Sequence, residues 1–302
     1  MKVVYIAGYG RSGSTILDIM LGDQPNIVSL GEVVYLYEDV INGLRTCSCG
    51  CEYETCELWG EVINSVELDR HREIVRKVES RKNLPSLLAN TLAEDTKVSY
   101  RKHSRSLFRK IADTSGSNVI VDSSKSARDA AGRFWALSNI AGLDVFVLHL
   151  VRDARSTVRS VVSKGRNPVL EGHGEEKQFP GLRTAFGWML SNTTALCMGK
   201  MMPSNRYLRV RYENLRENYE SEISRISEFI GENIDNVVEQ ISNGKSFRVH
   251  HNTGGNRVRL NREVQFRTSS SQSSRDELPA RYEIAVTLVG GWLLRYFGYD
   301  LF

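Results

Sequence analysis

Nowhere in its 302 residues does the chain approach the run of about 18 apolar residues that a membrane-crossing helix requires. The opening residues Met1-Lys2-Val3-Val4-Tyr5-Ile6-Ala7 enter a strand pattern at once, without the longer apolar stretch and small-residue cleavage site of a secretory signal. The cytoplasm is therefore the expected location, with no membrane span. Charge of one sign is also missing: 40 Lys and Arg stand against 36 Asp and Glu, a formal net charge of +4. No basic run is dense enough for a nucleic-acid arm, so no nucleic-acid partner is expected and small anions suit the chain better. Only six histidines occur, His71, His103, His149, His173, His250 and His251, and none sits in H-E-x-x-H or another ligand spacing. Four of the five cysteines crowd into residues 47–56, unlike the distributed disulfide framework of a secreted domain. No repeat of solenoid length and no clean boundary appears, so 1–302 reads as one domain.

What is present alternates. Four short β-branched runs, at 3–7, 119–121, 145–151 and 207–210, have the continuous apolar character of buried parallel strands. Between and after them, apolar residues recur at three- and four-residue spacing over 16–21, 127–139, 157–163, 182–198 and 219–230, which predicts helices. The expected class is α/β, a P-loop-like central parallel sheet flanked by helices on both faces. Two stretches interrupt the alternation: a charged, mostly helical insertion around 65–110, and the polar, Gly-rich segment 164–181, read as a mobile loop near a site. His173 falls in that segment, and either a contact with an acceptor or simple exposure fits it. The Ser-rich stretch 268–274 is a further candidate for low order. His149, inside a strand run, reads as a satisfied core or near-site residue.

Gly8-Tyr9-Gly10-Arg11-Ser12-Gly13-Ser14-Thr15 follows the first strand and opens the first helix, where backbone N–H groups and the helix dipole can hold phosphate. Set on the pattern G-x-x-x-x-G-K-[ST], the lysine position holds Ser14, and the cation stands three residues earlier as Arg11. A nucleoside triphosphatase would lack its β,γ-phosphate ammonium. Taken alone, the loop also fits a Gly-rich turn with no ligand.

Arg11-Ser12-Gly13-Ser14-Thr15 resembles the 5′-phosphosulfate loop of sulfotransferases that use 3′-phosphoadenosine-5′-phosphosulfate (PAPS), in the Arg form of the carbohydrate and protein-tyrosine branches. A second segment, Arg152-Asp153-Ala154-Arg155 with Ser160 in the following helix, resembles that family's 3′-phosphate motif, Ala154 replacing the commoner Pro or Gly. The resemblance implies Gly10, Arg11, Ser12, Gly13, Ser14 and Thr15 around the 5′ end of PAPS, and Arg152 and Ser160 at its 3′-phosphate. Alone, the second segment also reads as a solvated helix start capped by Asp153.

Looser likenesses add Tyr212, in Tyr212-Glu213-Asn214-Leu215, and Gly255, Asn256 and Arg257, in a loop that resembles Gly-Asn-Pro-x-Arg with Arg257 where Pro would be. The resemblance further implies Glu32 as general base and Lys125, with Arg11, at the bond that breaks. Two simpler readings stay open: Glu32 as a cap of a helical pattern over 33–40, and Lys125 as the surface partner of Asp122. The acceptor implied is a hydroxyl on a small metabolite, lipid or saccharide, and no metal is required because the cations are side chains. A small-molecule kinase of the P-loop type and a non-catalytic nucleotide-binding protein are the alternatives.

Cys47-x-Cys49-Gly50-Cys51-x₄-Cys56 with Trp59 invites a zinc reading, four thiolates sufficing for a structural site. The spacing lacks paired C-x₂-C knuckles, and many bacterial members of the family resemble it in a Cys-Gly-x₅-Cys-x₂-Trp segment. The expectation is a structural insert at 45–60 near the acceptor side, with disulfides, reduced thiols and zinc all open.

Overall fold

A computed structural model describes residues 1–43, 46–162, 179–268 and 278–301. Five strands, β1 (Lys2–Gly8), β2 (Ile27–Ser29), β3 (Val119–Asp122), β4 (Asp144–Val151) and β5 (Tyr207–Arg211), form one sheet in the order β2-β3-β1-β4-β5. Every pairing is parallel. Side-chain alternation divides the strands between two cores. Val3, Tyr5, Ile120, Val145 and Val147 join one apolar cluster, while Val4, Ile6, Val119, Val121, Leu148 and Leu150 join the other. Residues that alternate faces and are apolar on both are what a doubly covered parallel sheet demands.

Helices cover the two faces. Ser14–Gly22, Tyr219–Ile230 and Asp235–Ser242 bury Leu17, Ile223, Ile226 and Val237 against one. The expected helical insertion lies on the other as the helices Leu68–Glu79, Leu84–Leu88 and Glu94–Ser115. In the last of these Tyr100, Ser104, Leu107, Phe108 and Ile111 are buried, an apolar stripe at three- and four-residue spacing that faces the sheet. A third cluster joins the helices Ala154–Val162, Pro180–Lys200 and Ala280–Tyr296 around Trp188 and Phe297. No helix among the described residues is long and apolar enough to cross a membrane.

Two expectations change. The edge strand β2 is new, its Ile27-Val28-Ser29 holding too few apolar residues to stand out from its surroundings. The helix expected over 127–139 is instead a 3₁₀ turn, Arg128–Ala130, followed by the helix Arg133–Asn139. Gly132 separates them, its N–H donating to Glu79 O at 2.7 Å, outside any helical ladder. The segment 164–178 with His173, and residues 269–274, lie outside the described residues.

Candidate active site

In an open parallel sheet, ligands bind beyond the carboxyl ends of the strands. Here each of the five strands delivers a residue there. β1 runs into the Gly8–Thr15 loop, β2 leads to Glu32, β3 to Lys125, β4 to Arg152 and β5 to Tyr212. The loop closes with Gly13 at φ 93°, the N-cap of the helix Ser14–Gly22. A Cβ at Gly13 would overlap the Tyr212 ring, so only glycine allows both this backbone and the close approach of Tyr212. Arg11 is also left-handed, at φ 66°. Ser12 is buried, and its Oγ and that of buried Ser126 have no hydrogen-bond partner among the described residues. Ser126 N donates to Gly8 O at 3.0 Å, which sets its hydroxyl beside the loop. Buried hydroxyls normally find a partner, and two orphaned donors beside a phosphate-type loop fit an anion.

Glu32 and Lys125, far apart in sequence, are in direct contact: Lys125 Nζ donates to Glu32 Oε1. Their side chains are 13% and 10% exposed, enough to be reached from the cleft. Both are held from behind. Glu32 N donates to Thr253 O at 2.7 Å, Thr253 Oγ1 donates to Glu32 O at 3.2 Å, and Gly31 bridges Thr253 in parallel register. Gly31 has φ 72° and a Cβ there would overlap Thr253 O, so the Gly31-Glu32 pair is a backbone requirement as well as a chemical one. Lys125 is left-handed at φ 68°, and its carbonyl accepts from the buried Tyr5 hydroxyl. Neither simpler reading holds. The Glu32 side chain makes no capping bond to the turn Val33–Tyr35, and Asp122 pairs with Arg133 rather than with Lys125.

Asp122 belongs to a separate, sealed network. Arg133 Nε donates to Asp122 Oδ2 at 2.8 Å, and its Nη1 donates to both Glu79 oxygens at 2.8 and 2.9 Å. Tyr100 Oη donates to Glu79 at 2.7 Å, and Asp122 Oδ1 accepts from Ser124 N at 2.9 Å. The Ser124 hydroxyl in turn accepts from Val34 N at 3.1 Å, tying the strand-end turn to the segment after Glu32.

Arg152 joins the two anion motifs. Its Nη1 donates to Arg11 O at 3.0 Å and its guanidinium lies 4.8 Å from the centre of the Tyr212 ring. Trp188 Nε1 holds the Arg152 carbonyl at 2.9 Å. Asp153 caps the next helix through Arg155 N at 2.7 Å and pairs with the Arg155 side chain, so the capping reading is right for Asp153 and leaves Arg152 turned to the loop. Ser160 is half-buried in the helix Ala154–Val162. Glu213, passed over by the sequence reading, accepts from Asp153 N at 3.1 Å and from the Tyr299 hydroxyl at 2.7 Å, bracing the Arg152 turn against the C-terminal segment.

The segment 252–259 roofs the loop. Asn256 N donates to Thr15 Oγ1 at 3.2 Å, and a Cβ on Gly255 would lie 3.6 Å from Glu32 Oε1. Arg257 is exposed, whereas Arg259 is buried and donates to Thr46 O and Asn252 O at 3.1 and 3.2 Å. Asp18, on the helix after the loop, accepts from Asn252 Nδ2, and burial holds its carboxyl well above the usual range. His149 is a scaffold residue. Asn192 Nδ2 donates to Trp188 O, so Asn192 Oδ1 faces His149 Nε2 at 2.9 Å and Nδ1 is left to accept from the Tyr207 hydroxyl at 2.6 Å. Burial lowers its pKa to about 4, and the ring stays neutral.

All four cysteines of the insert are free thiols, but they do not act as a set of four. Cys51 is exposed and, although its carbonyl accepts from Cys47 N at 3.0 Å, its sulfur is outside the convergent group; Cys47, Cys49 and Cys56 converge on His251, whose place beside them no local spacing announced.

The chain matches the family described as the sulfotransferase family over residues 4–236, and it belongs to that family. Among solved structures it superposes on the sulfotransferase domain from the curacin biosynthetic pathway at a TM-score of 0.51 and 19% identity, covering 100% of this chain and 93% of that one, a likeness of fold. Also matched are the sulfotransferase domain from the Synechococcus PCC 7002 olefin synthase (TM-score 0.48, 18% identity, 99% and 95% covered) and a sulfotransferase from Alicyclobacillus acidocaldarius (0.46, 10%, 99% and 97%). No curated protein matches the sequence significantly. The family sets aside the kinase alternative: the chain is a sulfotransferase.

Proposed function

We propose that the chain transfers the sulfuryl group of PAPS in line to the hydroxyl of a small metabolite, lipid or saccharide. The observation that carries this reading is the Glu32–Lys125 contact at the mouth of the Gly8–Thr15 loop, which brings a carboxylate and an ammonium to one point beside an anion cradle. The loop residues Gly10 to Thr15, with the unpartnered Ser12 hydroxyl, suit a 5′-phosphosulfate, and Arg152, Ser160 and Tyr212 suit the nucleotide's other phosphate. Gly255 and Asn256 close over Thr15; Arg257, exposed at the rim, keeps a supporting role at the same nucleotide.

Glu32 takes the acceptor's proton as the new oxygen–sulfur bond forms. Lys125 and Arg11 hold the charge that gathers on the 5′-phosphate as its bond to sulfur breaks, and adenosine 3′,5′-bisphosphate departs. The two cationic side chains serve where a phosphoryl-transfer enzyme uses a metal ion, so the transfer step itself calls for none.

The test is transfer of radiolabelled sulfate from PAPS across a panel of hydroxyl acceptors, run beside labelled phosphate from ATP. Sulfate label on an acceptor, with no phosphate transfer, is expected. Phosphate transfer instead, or tight nucleotide binding with neither activity, would overturn the reading.

A further inference from the structure

The Cys47, Cys49 and Cys56 sulfurs and His251 Nδ1 all lie within 4.8 Å of one another. Cys49 and Cys56 sulfurs are 3.8 Å apart, Cys47 Sγ is 3.8 Å from His251 Nδ1, and Cys56 Sγ is 3.2 Å from it. A tetrahedral zinc ion with Zn–S of about 2.3 Å and Zn–N of about 2.0 Å needs sulfur–sulfur edges of about 3.8 Å and sulfur–nitrogen edges of about 3.5 Å. A disulfide needs about 2.05 Å between two sulfurs and would leave the third sulfur and the imidazole without a purpose. We propose that Cys47, Cys49, Cys56 and His251 form a structural zinc site, with Cys51 outside it.

The surroundings are those of a built site. Backbone N–H groups of Trp59 and Leu58 donate to the Cys56 sulfur, as donors that steady a metal-bound thiolate do. Trp59, wholly buried, donates from Nε1 to His251 O at 2.7 Å and fixes the residue that brings the imidazole. Ser48, between two of the ligands, donates to His250 O at 2.6 Å and from its backbone to Asn252 O at 3.2 Å. The buried Arg259 guanidinium spans Thr46 O and Asn252 O, adding positive charge next to a Cys₃His site whose net charge would be negative.

The position explains what the ion does. His251 precedes Asn252 and Thr253, and these hold Asp18 and the Glu32 backbone. The zinc therefore staples the insert to the segment that sets Glu32. Its role in setting Glu32 rests on the catalytic reading above, but the existence of the site does not, because metal content is measured without any transfer assay.

The experiment is elemental analysis of the full untagged chain purified after growth with zinc, together with the absorption spectrum after cobalt exchange. About one zinc per chain is expected, with the thiolate-to-cobalt charge transfer and d–d bands of a tetrahedral site. Cys51→Ser should keep both. Cys56→Ser and His251→Ala should lose metal at least about tenfold, and His251→Cys should restore it as a four-thiolate site. Should Cys56→Ser fail to fold, the unmutated protein still decides: zinc-free chains with freely alkylated thiols, or a Cys49–Cys56 disulfide by intact mass, would overturn the proposal. Zinc lost from Cys51→Ser but kept by His251→Ala would overturn it equally.

Discussion

Asp122 ends β3 and Lys125 lies in the turn just after it, yet they belong to charge clusters of opposite design. Around Asp122, Arg133 and Glu79 are 1% and 0% exposed, and the carboxylate oxygens accept from Arg133, Tyr100 or Ser124. Around Lys125, the ammonium and Glu32 are 10% and 13% exposed and meet at the open end of the phosphate loop. The same pairing of cation and carboxylate thus makes scaffold where water is shut out and, on the proposed reading, chemistry where a substrate can enter. A sealed ion pair holds fixed partners that no ligand can reach, whereas an accessible pair can trade its partner for a proton or a phosphate.

The comparison breaks first at Glu32. Glu32→Gln should lower turnover about 10²- to 10⁴-fold, with PAPS affinity nearly intact and stability changed by no more than about 1 kcal/mol. Turnover equal to the unmutated enzyme would remove Glu32 as the base. Arg133→Met should do the reverse. It strands two buried carboxylates and should cost about 3–5 kcal/mol in denaturant unfolding, while the folded fraction binds PAPS as before. A loss below about 1 kcal/mol would show that the sealed cluster is not structural.

Arg152→Ala sharpens the contrast on the nucleotide side. Removing a charged donor should weaken PAPS binding about 10- to 100-fold, against little change for the analogue lacking the 3′-phosphate. Equal losses for both nucleotides would move Arg152 away from that phosphate. The last effect concerns His149 and appears only as the pH is lowered. Its ring is neutral in the fold down to about pH 4, but in the unfolded chain it takes up a proton near pH 6.5. Stability should then fall as pH drops through that window, by up to about 1.4 kcal/mol per unit. His149→Gln should flatten that slope in pH-dependent unfolding, and an unchanged slope would assign the titration to other groups.

The sheet was readable where a strand is buried on both faces, because β1, β3 and β4 then present runs of apolar residues; β5, an edge strand with only Val210 buried, carries the weaker pattern Tyr207-Leu208-Arg209-Val210. β2 was not readable, since Ile27-Val28-Ser29 holds only two apolar residues, where Val119-Ile120-Val121 holds three. The settings of the two loop motifs were readable because each is local: Arg11 to Thr15 and Arg152 to Ser160 are continuous stretches whose order implies strand, turn and helix. The support behind them was not. Glu213 and Tyr299 behind Asp153, Thr253 behind Glu32, and His251 among the cysteines are pairings across tens to hundreds of residues that no spacing rule encodes. For the insert, counting cysteines selected Cys51, whereas the chain path substitutes a histidine 195 residues away from Cys56.

The bond from Thr253 Oγ1 to Glu32 O closes a span of 221 residues. On the ribosome, chains grow from the N-terminus at about 5–20 residues per second, so the phosphate loop and Glu32 exist as polypeptide for many seconds before their backbone clamp is made. The backbone around Glu32 therefore stays unclamped until the last quarter of the chain emerges, and a release of C-terminal contacts later in the protein's life would return Glu32 to that unformed condition.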